Sequence, residues 1–203
     1  MKLLYGTTNP SKLRYMRRNL ETIGIEVLGL NDLEGKLPHI AEDGQEPLDN
    51  AKQKALAYYK TFGIPVFSLD SGLYFIDEPH LEQPGTYIRR YTGNEMDDME
   101  LLNHYMNLAR ENGGTIKAQY INAIVLVMDE DNIFEYQGPD ISWDPFYLTS
   151  KAHEKIEAGF PLNSISVEIA SGKYFFDIKE KTKDASRYQE AMRSFFSKCI
   201  SKE

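Results

Sequence analysis

MKLLYGTTNPSKLRYMRRNLETIGIEVLGL, residues 1–30, carries the pattern from which the fold class follows. Lys2 to Tyr5 read as a short apolar strand, and the small-residue loop Gly6 to Lys12 turns into a helix with Leu13, Met16, Leu20 and Ile23 on one face. Gly24 ends that helix, and Glu26 to Leu30 read as a second strand. Strand, helix, strand over so short a span is a βαβ unit, so part of the sheet is parallel.

Beyond this unit, AEDGQEP (41–47) is a polar turn segment, followed by a helix from Leu48 to Phe62 with Leu48, Ala51, Ala55, Tyr58 and Phe62 on one stripe. PVFSL (65–69) is a strand leading into Asp70, and Leu73 to Ile76 continue extended beyond Gly72. EPHLEQPGTY is a loop by its prolines and glycine; Glu95 to Asn112 read as a helix stopped by Gly113-Gly114. Lys117 to Met128 give the longest strand signal, paired with Ile133 to Tyr136 across DEDN. ISWDPFYL (141–148) reads as a short strand running into a loop, SISVEIASGKYFFDI (164–178) as a hairpin around Ser171-Gly172, and Asp184 to Ile200 as an amphipathic helix. The fold class expected is α/β, an elongated mixed sheet flanked by helices. Residues 1–203 form one domain, with room for two lobes.

Composition limits the function. With 31 acidic and 23 basic residues the net charge is −8, which repels a nucleic-acid backbone or an anionic membrane at long range. Polymeric nucleic acid and membrane are therefore not the expected partners, whereas a nucleotide can still be held by a few lysines, backbone N–H groups and a divalent cation. Cys199 is the one cysteine, so neither an internal disulfide nor a cysteine zinc site can be assembled. The N-terminal apolar stretch is too short for a signal peptide, and the cytoplasm is the expected compartment.

Three stretches can carry chemistry. TTNPSK (7–12) can present backbone donors and Lys12 to an anion at a helix N-terminus, or be ordinary capping with Asn9 as N-cap and Pro10 at the first helical position. EDGQEPLDNAKQKA (42–55) sets Glu42 and Asp43 before a helix, then Asn50 and Lys54 on one helical face. That is a face for a metal-bound phosphate, or a solvated helix with acids at its N-terminal end. Asp70 stands at a strand end beside Ser71-Gly72, where a ligand can approach the backbone closely, or it forms an Asx turn. The four histidines have no metal-ligand spacing and there is no G-x-S-x-G elbow.

Taken in order, TTNPSK, EDGQEPLDNAKQKA and SLDSGLYF followed by QPGTYIRRYTG resemble the inosine triphosphate pyrophosphatase family across residues 1–93. The matching patterns are T-G-N-x-x-K, E-x-G-x-x-F-x-x-N-A-x-x-K-A, and D-D-S-G-L followed by P-G-x-Y-S-A-R-Y-x-G. The resemblance implies a central cleft and Mg2+-dependent hydrolysis of a noncanonical or modified nucleoside triphosphate to monophosphate and pyrophosphate. It also implies a homodimer. Thr7, Thr8, Asn9 and Lys12 would bind the triphosphate, Lys54 would contact phosphate, and Asn50 and Ser71 would also bind substrate. Glu42 and Asp70 would hold the metal, and Asp70 would be the catalytic carboxylate.

Several positions depart from the pattern: Thr8 replaces a glycine, Pro47 a phenylalanine and Leu69 the first aspartate of D-D-S-G-L. ISWDPFYL resembles F-G-Y-D-P-x-F, making Trp143 and Asp144 matches for nucleoside contacts, although only Pro139 and Asp140 separate Gly138 from Ile141. The base-reading S-H-R triplet has no copy. Ser186-Arg187-Tyr188 is nearest, with Lys181 upstream, and a changed set of buried donors and acceptors changes the base preferred. Two other readings stand beside the enzyme: a nucleotide-binding protein on the same fold with impaired turnover, and a hydrolase of another small phosphorylated metabolite.

Overall fold

The computed structural model describes residues 1–178 and 183–201. Among these, seven strands hydrogen-bond into one mixed sheet in the order β2-β1-β3-β4-β6-β7, with β5 also on β4. The chain divides into two compact units, one of Met1–Ser71, Asn122–Ile141 and Arg187–Glu203, the other of Gly72–Ile121 and Ser142–Ser186.

The first unit is built on the expected βαβ. Strand β1 (Lys2–Tyr5) pairs in parallel with β2 (Glu26–Gly29) and with the start of β3 (Val66–Phe75), Tyr5 standing opposite both Gly29 and Phe67. Side chains alternate across a strand, so each strand supplies two cores. Leu3, Tyr5, Phe67 and Leu69 pack with Met16 and Leu20 of helix α1 (Pro10–Glu21) and with Met192 and Phe196 of α4 (Lys183–Ile200). Leu4 and Val66 pack with Ala51, Ala55 and Tyr58 of α2 (Pro47–Phe62) in a separate cluster. Tyr5 stacks on Phe67 at 4.5 Å between ring centroids, and Phe67 meets Phe196 edge-on at 4.9 Å. Full burial of each such side chain stabilises the fold by about 1.5–3 kcal/mol. Gly63 ends α2 in the left-handed conformation, φ 65°.

In the second unit α3 (Asp98–Glu111) packs on β4 (Thr115–Val127) and β6 (Phe146–Thr149) through Leu101, Leu102, Tyr105, Ile116, Phe146 and Leu148. Asp97 caps α3 by accepting from the N–H groups of Met99 and Glu100, which is why the helix starts three residues later than its apolar pattern suggests.

Three sequence expectations are corrected. Strand β3 runs unbroken through Asp70 to Phe75, so Asp70 is neither at a strand end nor in a turn. ISWDPFYL is loop first and strand second, because Pro145 lacks the N–H a ladder needs and pairing begins only at Phe146. The hairpin around Ser171-Gly172 keeps its turn, with Gly172 at φ 66°, but not its second arm. Strand β7 (Ser166–Glu168) pairs with β6 instead, and after one bridge from Val167 to Tyr174 the chain enters a 3-10 turn that sets Phe175 against Phe146.

Candidate active site

Period-two alternation along β3 turns Val66, Ser68 and Asp70 toward α2, and the helical repeat brings Asn50 and Lys54, four residues apart, to the same face. The result is a buried polar cluster. Lys54 Nζ donates to Asp70 Oδ1 at 2.5 Å and to Glu42 Oε2 at 3.1 Å. Asn50 Nδ2 donates to Asp70 Oδ2 at 3.2 Å, while its Oδ1 accepts from the Gly44 N–H at 2.8 Å. The Lys54 and Asp70 side chains are only 11% and 13% exposed, so their charges interact through protein rather than bulk water.

Burial is the largest single influence on Lys54 and acts to lower its pKa, but Asp70 and Glu42, by charge and hydrogen bonding together, outweigh it and hold the pKa above its ordinary value. The ammonium is thus fixed in its charged form, shared by two carboxylates. Glu42 reaches it from a backbone in the left-handed region, φ 47°, uncommon for a residue with a Cβ and of the kind that collects at functional sites. Gly44 lies directly on the first turn of α2. A Cβ there would stand 2.5 Å from Asp49 Cβ and 2.7 Å from Asn50 Oδ1.

Two flanking acids are engaged elsewhere. Asp43 accepts from Gln53 Nε2 at 3.0 Å, and Asp49 accepts from the Glu46 N–H at 3.2 Å. Leu69 points away from the cluster, 7% exposed in the apolar core of β1, α1 and α4. A carboxylate at 69 would therefore enter that core and not stand beside Lys54.

In TTNPSK the capping arrangement is realised: Asn9 Oδ1 accepts from the N–H groups of Ser11 at 2.9 Å and Lys12 at 3.2 Å, and Thr7 Oγ1 accepts from the Asn9 N–H at 3.2 Å. The loop leaves β1 beside β3, its first residue Gly6 donating to Phe67 O at 2.8 Å. A side chain at Gly6 would collide with Ser68 Oγ and the Tyr58 ring. That small-residue requirement, and the pinning role of Gly44, were not read from sequence; the available signals were Gly6's place immediately before TTNPSK and Gly44's place inside EDGQEPLDNAKQKA.

Ser71 is half-buried and follows Asp70 in β3. Trp143 and Asp144 belong to the second unit, where the Trp143 N–H donates to Tyr120 O at 3.1 Å and Gln119 Nε2 to Trp143 O at 2.9 Å. Ser186 is exposed and Arg187 half-buried on α4; Lys181 lies outside the described residues. Of the residues proposed from sequence, Glu42, Asn50, Lys54 and Asp70 are therefore joined in one hydrogen-bonded cluster.

Among the described residues no group of three or more His, Cys, Asp and Glu side chains is arranged to hold a metal. Glu42 and Asp70, two carboxylates already gathered around one cation, fit Mg2+. That hard ion characteristically takes one or two protein carboxylates and completes its shell with water and substrate phosphate.

The model of the Ham1 family matches residues 3–139. The dITP/XTP pyrophosphatase of Thermus thermophilus is 30% identical over 140 residues, 68% of this chain and 65% of that protein. The enzyme of the same name from Aquifex aeolicus is 44% identical over 91 residues, 45% and 42% of the two chains. These matches thus span just under two thirds or less of the curated relatives. A HAM1 protein from Coxiella burnetii superposes with a TM-score of 0.76 at 19% identity, covering 98% of this chain and 99% of that one. The nucleoside-triphosphatase / dITP/XTP pyrophosphatase of Mycobacterium abscessus gives 0.67 at 25% identity, covering 96% and 98%.

Proposed function

The chain belongs to the Ham1 family, and from that membership we propose that it hydrolyses a noncanonical or modified nucleoside triphosphate to nucleoside monophosphate and pyrophosphate. The observation that carries the reading is the pair of carboxylates, Glu42 and Asp70, gathered around the Lys54 ammonium on one face of α2. Relatives named dITP/XTP pyrophosphatase support the substrate class.

In this reading Glu42 and Asp70 hold Mg2+, whose chemistry when bound is to neutralise phosphate oxygens. Lys54, already charged, keeps Asp70 and exchanges the Glu42 oxygen for a phosphate oxygen. Asp70 accepts the proton of the attacking water, a general-base contribution of about 10²–10⁴-fold. The water oxygen ends on phosphorus, the α,β-bridging P–O bond breaks, and pyrophosphate leaves. Lys12 and the loop Thr7 to Asn9 meet the triphosphate, with Ser71 beside Asp70. Trp143, Asp144, Lys181, Ser186 and Arg187 serve the nucleoside. A homodimer in the cytoplasm belongs to the same proposal; among the described residues no helix is long and apolar enough to cross a membrane.

The test is pyrophosphate release from ordinary, deaminated and modified nucleoside triphosphates with Mg2+, for wild type and Asp70→Asn. Release by the wild type and its loss in the variant support the reading. A triphosphate that raises the melting temperature without being cleaved makes the chain a nucleotide-binding protein, since ligand binding to the native state stabilises it. Orthophosphate in place of pyrophosphate points to a different phosphorylated substrate. Light scattering reads the oligomeric state.

A further inference from the structure

We propose that Asn50 is a positioning residue that aims the Asp70 carboxylate and ties it to the loop carrying Glu42; its catalytic consequence rests on the hydrolytic reading above. Nothing local requires asparagine here. It is the fourth residue of α2, beyond the capping position at Glu46, where asparagine is a poorer helix former than alanine. The residue is 1% exposed, so each end of its carboxamide needs a partner.

Those partners determine its orientation. A backbone N–H can only donate, so the atom facing Gly44 at 2.8 Å is Oδ1, and the amide nitrogen is left facing Asp70 Oδ2 at 3.2 Å. With Lys54 on Oδ1 and Asn50 on Oδ2, both oxygens of Asp70 receive fixed donors. The carboxylate plane is set from two points on one helix. Gly44 is two residues from Glu42, so one buried carboxamide holds the two acids in register, and a misplacement of about 1 Å at such a pair is enough to cost about 100-fold in rate.

Asn50→Asp separates this role from simple packing. It keeps the shape and the acceptor for the Gly44 N–H, but sets an acceptor in place of a donor against Asp70 Oδ2. The expected result is kcat lowered about 100-fold with KM within about threefold of wild type. The second readout needs neither turnover nor metal. In 15N-labelled wild type the Asn50 carboxamide protons should exchange at least about tenfold more slowly than those of exposed Asn31. Asp70→Ala should abolish that protection while leaving the Gly44 N–H protected. Wild-type kcat in a folded Asn50→Asp protein overturns the proposal, and so do Asn50 protons that exchange as fast as those of Asn31. If Asn50→Asp does not fold, the exchange measurement decides. If wild type releases pyrophosphate from no triphosphate, the hydrolytic reading fails, and amide exchange still decides whether Asn50 clamps Asp70.

Discussion

Lys54 reaches Asp70 across the interface between α2 and β3, its Nζ 2.5 Å from Oδ1, and the same ammonium holds Glu42 at 3.1 Å. One cation therefore balances two carboxylates that would otherwise face each other beneath α2. Removing it leaves their charge uncompensated. Lys54→Met should destabilise the protein by about 3 kcal/mol and lower Tm by about 6–12 °C, measured by calorimetry, with turnover lost at every Mg2+ concentration. A variant as stable as wild type would deny the cluster its structural weight.

The same pair predicts behaviour in alkali. Folding raises the Lys54 pKa, so its contribution to stability is complete below the unfolded-state value of 10.5 and is lost as pH climbs through the higher folded value. Denaturant titrations above pH 10.5 should show a stability decline in wild type that is smaller in Lys54→Met.

His104 should govern part of the acid limb. Burial beside Tyr91 and Tyr105 lowers its pKa, against the opposing pull of Glu111. The unfolded chain takes up the proton first as pH falls below 6.5, so stability drops from there toward the folded value. His104→Phe should flatten this part of the stability profile, as read by urea unfolding between pH 7 and pH 5.

Gly44→Ala tests the contact between the acidic loop and α2. Its Cβ would enter a space bounded by Asp49 Cβ at 2.5 Å and the Asn50 backbone nitrogen at 3.1 Å, costing about 1–3 kcal/mol. Activity should fall with stability. Gly24→Ala, strained at φ 75° but with nothing within 4 Å, should lose stability and leave turnover intact.

Leu69→Asp asks whether restoring the family's acid improves the site. Leu69 is 7% exposed among apolar side chains, so the substitution should destabilise the protein by about 3 kcal/mol or more without tightening Mg2+ binding. Calorimetry and a Mg2+ titration of the free protein check the two halves; tighter binding would show that position 69 serves the metal.

Much of the first unit was legible because its signals are local. The apolar periods of β1 and α1, the Asn9-Pro10 start and the glycine after α1 each act within a few residues. The second arm of the predicted hairpin failed for a non-local reason: β7 has β6 as a partner, and no local propensity encodes that choice. Glu42, Lys54 and Asp70 could be named from motif resemblance, but not their shared contact, which spans 12 and 16 residues. The placement of Leu69 on the opposite face follows from strand alternation once β3 is known to continue through Asp70.

The grip of Asn50 and Lys54 on a single carboxylate also sets where the chain can change in length. Each residue added to or removed from a helix turns everything beyond it by about 100°. A one-residue deletion between Asn50 and Lys54 would swing the lysine off Asp70 even if every remaining side chain were kept. The irregular stretch 33–41 ahead of Glu42 has no such phase, and doubling a flexible loop costs only about 0.6 kcal/mol. Length variation should therefore be absorbed before Glu42 and excluded from the span between Asn50 and Lys54.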